Sequence, residues 1–266
     1  MVKRILSASY LALILLFIYT PIMFVMVFSF TESGVMGDWQ GFSLSLYQNL
    51  FAGPKGKQIL EVFLNTLEVG LISALFATLL GTAGAIGIFF FKKKMKRTFS
   101  FINQIPVVNA EIVTGISLLL LFLVFALPRG EVTVILAHIT FSAPYVVLSV
   151  LPKLKQMNNN IYEACLDLGA TPWRALRTVV LPEILPGMVS GFIMAFTLSI
   201  DDFVVTNYTT STSFDTLSTF IYKDAVKGGL TPSLRALSTL IFIVVLTLLF
   251  VMNLRTGKQK QKENKR

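Results

Sequence analysis

Five ionisable side chains interrupt long apolar runs in this sequence: Glu68, Glu111, His138, Asp201 and Asp202. A carboxylate at the centre of a bilayer costs about 2.5–3.5 kcal/mol even on lenient insertion scales, so each acid requires a partner. No Lys or Arg is expected at comparable depth in any of the runs, which makes ion pairs within the chain hard to arrange. The acids must then face a wet cavity, a partner subunit or a cation. An anion pathway would present Arg, Lys or helix N-termini at this depth, whereas carboxylates point to a cationic solute. Adjacent residues of a helix diverge by about 100°, so at least one of Asp201 and Asp202 should line a cavity. Glu68 and Glu111 also admit a plainer reading as interfacial or hydrogen-bonded structural groups. His138 is expected to make a structural hydrogen bond.

The elements that carry these residues are membrane spans. Of the 266 residues, 54% are hydrophobic and only 14% are charged, against about 25% charged in soluble chains. A spanning helix needs about 20 apolar residues, and six windows qualify: roughly 5–30, 62–91, 99–127, 132–152, 187–208 and 233–254. The expected fold is an all-α membrane protein with six transmembrane helices in one domain, 1–266. The third and fourth windows are joined only by Pro128-Arg129-Gly130-Glu131, which forces an antiparallel hairpin. Seventeen of the 23 Lys and Arg residues fall on the side of the two tails and the even-numbered gaps. Both termini are therefore expected in the cytoplasm, with 31–61 and 209–232 outside. Ser73, Ala77, Gly81 and Ala85 recur at four-residue intervals in the second window, a pattern that lets helices approach closely within the bundle or at a subunit interface. In the outer segment, Leu217, Phe220, Ile221 and Ala225 share one face of a short amphipathic helix that ends at Gly228-Gly229.

Several function classes drop out. The net charge of +9 sits in short loops and tails beside apolar runs, which argues for topology and against nucleic acid. Cys165 is the sole cysteine and His138 the sole histidine, so neither a disulfide nor a Cys/His metal cluster is available. Gly53-Pro54-Lys55-Gly56-Lys57 resembles a phosphate loop by spelling but lacks the following Ser or Thr. No nucleophile–base pairing stands out, and the chain is expected to catalyse no reaction.

The most polar stretch between two apolar runs, residues 158–190, reads NNNIYEACLDLGATPWRALRTVVLPEILPGMVS. A turn at Asn158–Asn160 precedes an amphipathic piece, Ile161 to Leu168, which Gly169 breaks. Thr171-Pro172 has the form of an N-cap followed by proline at the first helical position. A second, basic piece with Arg174 and Arg177 is expected to end at Leu181-Pro182. Such a helix-turn-helix in a cytoplasmic loop of about 153–186 suggests a docking element. Glu163-Ala164-Cys165, Gly169, Val179 and Leu181-Pro182 stand at the spacing of the EAA loop of ABC importer permeases (EAA-x3-G-x9-I-x-LP), which the segment resembles. Cys165 takes the place of the third-position Ala, and Val179 that of the Ile. Further stretches are similar to the second permease subunit of spermidine/putrescine transporters: Glu111–Leu119, His138–Phe141, Leu198–Phe203, Ile221–Lys223 and Ala236–Thr239.

The resemblance implies a type I ABC importer permease in the bacterial inner membrane. Its partners would be a second permease subunit in a heterodimer, an ATPase dimer, an extracellular substrate-binding protein and a polyamine substrate. It implies no cofactor in this chain, since ATP and Mg are bound by the partner ATPase. Glu163, Ala164, Cys165, Gly169, Leu181 and Pro182 would form the ATPase coupling helix, with Glu163 near its start. Asp201, Asp202, Glu111 and Glu68 would line the substrate pathway, with Asp201 and Asp202 foremost. A permease for another solute, such as ferric iron or an anion, is the alternative on the same scaffold. An ion-gradient transporter would use the acids differently and leave the cytoplasmic loop unexplained.

Overall fold

The structure, a computed structural model, describes residues 2–33, 35, 37–50, 53–227, 231–243 and 246–247. Every regular element among them is helical. In chain order these are α1 (Val2–Phe28), α2 (Ser45–Gln48), α3 (Gly53–Phe90), α4 (Lys93–Val108), α5 (Glu111–Val124) and α6 (Glu131–Gln156). There follow α7 (Asn159–Asp167), α8 (Pro172–Ala175), a π-helical turn at Leu176–Val180, α9 (Leu181–Asp201), α10 (Val204–Thr209) and α11 (Leu217–Val226). The last is α12 (Pro232–Ile243). The chain forms two compact units, Glu61–Phe220 and the pair Met1–Leu60 with Ile221–Arg266.

Four stretches are long and apolar enough to cross a membrane: Ser9–Phe28, Gly56–Phe90, Glu131–Gln156 and Pro172–Asp201. The third expected window is not a straight span. It is divided into α4 and α5, which meet at 103° and together make a fifth, broken crossing. The cause is local chemistry. Ser100, Asn103, Gln104, Pro106 and Asn109 make α4 too polar to lie in lipid on all sides, and Asn109 and Ala110 adopt extended backbone. Asn103 anchors the bent piece by donating to the Pro144 carbonyl of α6 at 3.2 Å. Of the sixth window, the part beyond Ile243 lies largely outside the described residues, as do Gly228-Gly229 and the basic tail.

In the unit Glu61–Phe220, the core is a seam of small residues. Ala74, Ala77 and Ala85 of α3 pack with Val146, Val147, Val150, Leu151 and Leu154 of α6 and with Ile184 and Ala195 of α9. A side chain on Gly81 would meet Val146 Cβ at 2.6 Å and the Ala143 carbonyl oxygen at 2.8 Å. Gly187 and Gly191 of α9 approach the backbone of α6 with similar closeness. The stripe Ser73–Ala77–Gly81–Ala85 is thus spent on packing within the chain. Lipid is as apolar as Leu, so close approach and dispersion, not exclusion from water, hold such helices together. Apolar residues away from the seam, such as Leu75, Leu79 and Leu80 of α3, point outward, as lipid-facing positions must.

In the other unit, α12 carries Arg235, which is fully buried. Its guanidinium donates to the Phe28 carbonyl at 3.3 Å and the Ser33 carbonyl at 2.5 Å. These bonds satisfy carbonyls at and just beyond the end of α1, where no intrahelical donor is left.

Gly81→Ala tests the seam. The added methyl meets a Cβ and a backbone oxygen, neither of which can rotate away, so a loss of about 1–3 kcal/mol is expected. The thermal midpoint of the purified protein in detergent should fall. An unchanged or raised midpoint would show that α3 and α6 are not in this contact.

Candidate functional site

Two helix breaks in the unit Glu61–Phe220 face one cleft. It has a volume of about 180 Å³, and its walls include Pro106, Asn109, Glu111, Tyr145, Asp201 and Asp202. At the first break, α4 ends at Val108 and α5 begins at Glu111. Glu111, expected near mid-span, is therefore in the first turn of a new helix, where its charge offsets the positive end of that helix. At the second break, α9 ends at Asp201 and α10 starts at Val204. The C-terminal ends of α4 and α9, with their free carbonyls, carry partial negative charge into the same region. Phe141 and Phe203 complete the walls with aromatic surface.

The two aspartates do different work. Asp201 is exposed to the cleft, and no hydrogen bond or ion pair engages its side chain among the described residues. Asp202 has a side chain only 5% exposed. Its Oδ1 accepts from the Val205 N–H at 3.2 Å and its Oδ2 from the Thr206 N–H at 2.7 Å, so it caps α10. Oδ2 accepts a further bond from the Thr206 hydroxyl at 2.7 Å and lies 3.4 Å from His138 Nε2. The Asp202 carbonyl accepts from Ser218 Oγ at 2.8 Å.

His138 is fully buried beneath this break. Its Nδ1 lies 2.6 Å from Ser199 Oγ and its Nε2 2.8 Å from Thr206 Oγ1. The expectation of a structural hydrogen bond holds, with two such bonds in place of one. The far end of α10 is fastened to the same helix, because Thr133 Oγ1 of α6 donates to the Thr209 carbonyl at 2.9 Å. Gly115 of α5 lets α10 approach: a Cβ there would meet Tyr208 Cδ2 at 2.9 Å. Glu68 does not join this cleft. It is exposed on α3.

Ser199 and Thr206 are functional-site residues that reading the sequence for charge passes over. A signal for Ser199 was available. Gly187, Gly191, Ala195 and Ser199 form a second small-residue stripe at four-residue spacing, and its last member reaches His138.

At the other end of α9, the loop of residues 158–190 folds as a helix pair. Asn158 caps α7 by accepting from the Asn160 N–H at 3.1 Å. Glu163, expected at the helix start, is the fifth residue of α7, and Asn158 supplies the cap in its place. Gly169 has φ +85°. The Ala170 N–H reaches the Cys165 carbonyl at 3.2 Å and the Gly169 N–H reaches the Leu166 carbonyl at 2.8 Å, the double bond pattern that closes a helix around a left-handed glycine. Thr171 then caps α8, accepting from the Arg174 N–H at 3.3 Å, with Pro172 in the first turn. The second piece does not end at Leu181-Pro182. Helix continues from Pro172 to Asp201. Pro182 has no N–H to donate, and the widened turn before it accommodates the ring, with the Leu181 N–H reaching back five residues to the Leu176 carbonyl. Tyr162 packs on Phe90 with tilted rings, centroids 5.2 Å apart, which ties α7 to the end of α3. Glu163, Ala164, Leu168 and Trp173 remain exposed, and Pro182 is exposed on the following turn.

Apolar helices broken around an acid-lined cleft, with a helix pair rigidly joined to one of them, define an integral membrane transport subunit. The chain belongs to the family of binding-protein-dependent transport system inner membrane components, which matches residues 77–257. The spermidine/putrescine transport system permease protein PotC of Escherichia coli (strain K12) is 32% identical over 264 residues, 99% of this chain and 98% of that protein. The putrescine transport system permease protein PotI of the same strain is 33% identical over 232 residues, 85% of this chain and 81% of that one. The fold is shared with a chain of the MetNI methionine ABC transporter, at TM-score 0.63 and 20% identity over 76% of this chain and 95% of that one. It is also shared with a chain of a bacterial ABC transporter for the acidic polysaccharide alginate, at TM-score 0.62 and 12% identity over 96% of each.

The cleft can be probed by cysteine reactivity. In a Cys165→Ser background, Asp201→Cys should react with a small cationic thiol reagent several-fold faster than Ala195→Cys, whose position is fully buried on the same helix. Equal rates would show that Asp201 does not face water.

Proposed function

We propose that the chain is the transmembrane permease subunit of an ATP-driven importer for polyamines, and that it converts the motion of a partner ATPase into alternating access. The observation that carries the substrate class is the convergence of Glu111, Asp201 and Asp202 on one cleft whose lining includes no Lys or Arg. Spermidine and putrescine are flexible, apolar at their centres and cationic at their nitrogens. A carboxylate-lined cleft between aromatic faces is complementary to both parts, since ring faces attract ammonium groups. Asp201 has its acceptors free, so it is the first amine contact, with Glu111 next. Asp202 adds negative charge while its oxygens hold α10. Glu68 is exposed on α3 and is not part of this cleft's lining. The relatives PotC and PotI, named for spermidine and putrescine transport, support the same class. Ferric iron is less well matched, because among the described residues no group of three His, Cys, Asp or Glu is placed to hold a metal ion.

The chain carries no catalytic step of its own. ATP hydrolysis belongs to a separate ATPase dimer, and a second permease subunit and an extracellular binding protein complete the assembly. Six spans with both termini in the cytoplasm put the α7–α8 pair on the ATPase side. The exposed face of Glu163, Ala164, Leu168 and Trp173 then meets the ATPase. Because helix continues from Pro172 to Asp201, displacement of the docking pair is delivered along about 45 Å of helix, at 1.5 Å per residue, to the cleft.

Two variants test the reading. In proteoliposomes holding the complete transporter, Asp201→Asn should lower uptake of labelled spermidine or putrescine about tenfold, the scale of one lost charge-assisted hydrogen bond, while Asp201→Glu retains most of it. Wild-type uptake by Asp201→Asn would remove Asp201 from the pathway. Gly169→Val meets no atom within 4 Å of the new Cβ, so its cost is conformational, roughly 1–2 kcal/mol for a side chain in the left-handed region. Expression and ATPase activity should persist while uptake falls. Uptake that stays proportional to ATPase activity would overturn the coupling role.

A further inference from the structure

His138 is used by none of the steps above, yet it is the most enclosed titratable side chain beneath the cleft. The hydrogens in its network can be assigned one by one. Thr206 Oγ1 has a single hydrogen and two strong neighbours, Asp202 Oδ2 at 2.7 Å and His138 Nε2 at 2.8 Å. A carboxylate cannot donate, so the hydroxyl hydrogen goes to Asp202. His138 must then donate from Nε2 to the Thr206 oxygen, because two facing acceptors at 2.8 Å would repel. At the other ring nitrogen, Ser199 Oγ lies 2.6 Å from Nδ1 and has no other partner among the described residues. If Nδ1 carried a hydrogen, the buried Ser199 hydroxyl would have none of these atoms to donate to, at the cost that attends any unsatisfied buried donor. If Ser199 donates to Nδ1, every hydrogen in the network is used once.

We propose that His138 is a neutral positioning residue, protonated on Nε2 only, that fixes Asp202 through Thr206 and thereby leaves Asp201 as the open carboxylate of the cleft. The relay runs from Ser199 to His138 to Thr206 to Asp202 and joins α9, α6 and α10. It has a direction, since each group donates to the next and the chain ends on the carboxylate that caps α10. A cationic imidazole in this place would neutralise Asp202 and halve the paired negative charge of the aspartates. A neutral one keeps both charges on the side from which a cation arrives. The assignment rests on geometry alone, while its importance for transport rests on the polyamine reading.

The experiment uses the complete transporter in bilayers, labelled with ¹⁵N-histidine. This chain has a single histidine, so its resonances are those lost in His138→Gln. At neutral pH the expected pair is one protonated nitrogen, Nε2, and one unprotonated nitrogen, Nδ1. An imidazolium pair, or protonation on Nδ1, overturns the proposal whatever the substrate proves to be. Thr206→Val keeps the shape of the side chain and removes the relay hydroxyl. It should shift the Nε2 resonance and lower maximal polyamine uptake about tenfold, the scale of one lost bond to a charged group, with the half-saturating concentration unchanged. Combining Thr206→Val with His138→Gln should cost no more than either alone, since both cut the same relay. Losses that multiply would overturn the relay. Should the Val variant fail to fold, the wild-type spectrum still decides. Should Asp201→Asn leave uptake intact while the spectrum is as expected, the substrate reading falls and the assignment stands.

Discussion

The Asp202 carboxylate holds the second helix break open, and the arrangement of the cleft depends on it. Backbone groups freed by ending a helix inside a bilayer have no water to turn to, so broken helices survive there only where side chains or neighbouring protein satisfy them. Asp202 supplies two of the missing acceptors to Val205 and Thr206, and its own carbonyl is taken up by Ser218. Thr133 takes the Thr209 carbonyl at the other end of α10. A six-residue helix, too short to be stable by propagation alone, is thereby fixed at one end by Asp202 and at the other by Thr133 of α6. Asp201 emerges from the last turn of α9 with its oxygens uncommitted because its neighbour has accepted the structural duty.

That division explains why two adjacent carboxylates are useful at this position. A single acid asked both to cap α10 and to bind a cation would lose the cap whenever the cation arrived. With two, Asp202 keeps the cap, and on the transport reading proposed above Asp201 alone would exchange partners. The same economy appears at Glu111, which offsets the positive end of α5. Without that carboxylate, the first turn of α5 would present bare N–H groups and favour anions. On the polyamine reading proposed above, the identity of a few residues at helix ends, not the fold, sets the sign of the solute. A chain of the alginate transporter, which imports an acidic polysaccharide, shares this fold at 12% identity.

Much of this was legible in the sequence. Carboxylates in apolar runs with no nearby base point to the cationic solute proposed above, because the energetic cost of burial is a property of residue type and needs no coordinates. Gly169 and Thr171-Pro172 gave the turn of the docking pair, because left-handed backbone and helix caps are local. What stayed hidden was what depends on distance. The third window divides at Asn109-Ala110 through local polarity, but what anchors the bent piece is Asn103 reaching the Pro144 carbonyl of another helix. The separate roles of Asp201 and Asp202 depend on His138 and Thr206, which lie 64 and four positions from Asp202 in the chain. The passage of helix through Pro182 depends on a π-helical turn that no periodicity announces.

The seam of small residues links the two functional ends. Gly187, Gly191, Ala195 and Ser199 lie along one face of α9, against α6, from the α7–α8 end of the helix to the relay. A face without bulky side chains lets α9 lie close against α6, with Gly187 against Val150 and Gly191 against Val146. Its last member cannot shift without pulling on His138. On the coupling reading proposed above, a displacement entering at the α7–α8 pair reaches, through α9, the His138 position on α6 that also holds Thr206 of α10. On that reading the α7–α8 pair and the cleft lie at the two ends of one continuous helix, and the hydrogen bond between Ser199 and His138 ties that helix to the charged break.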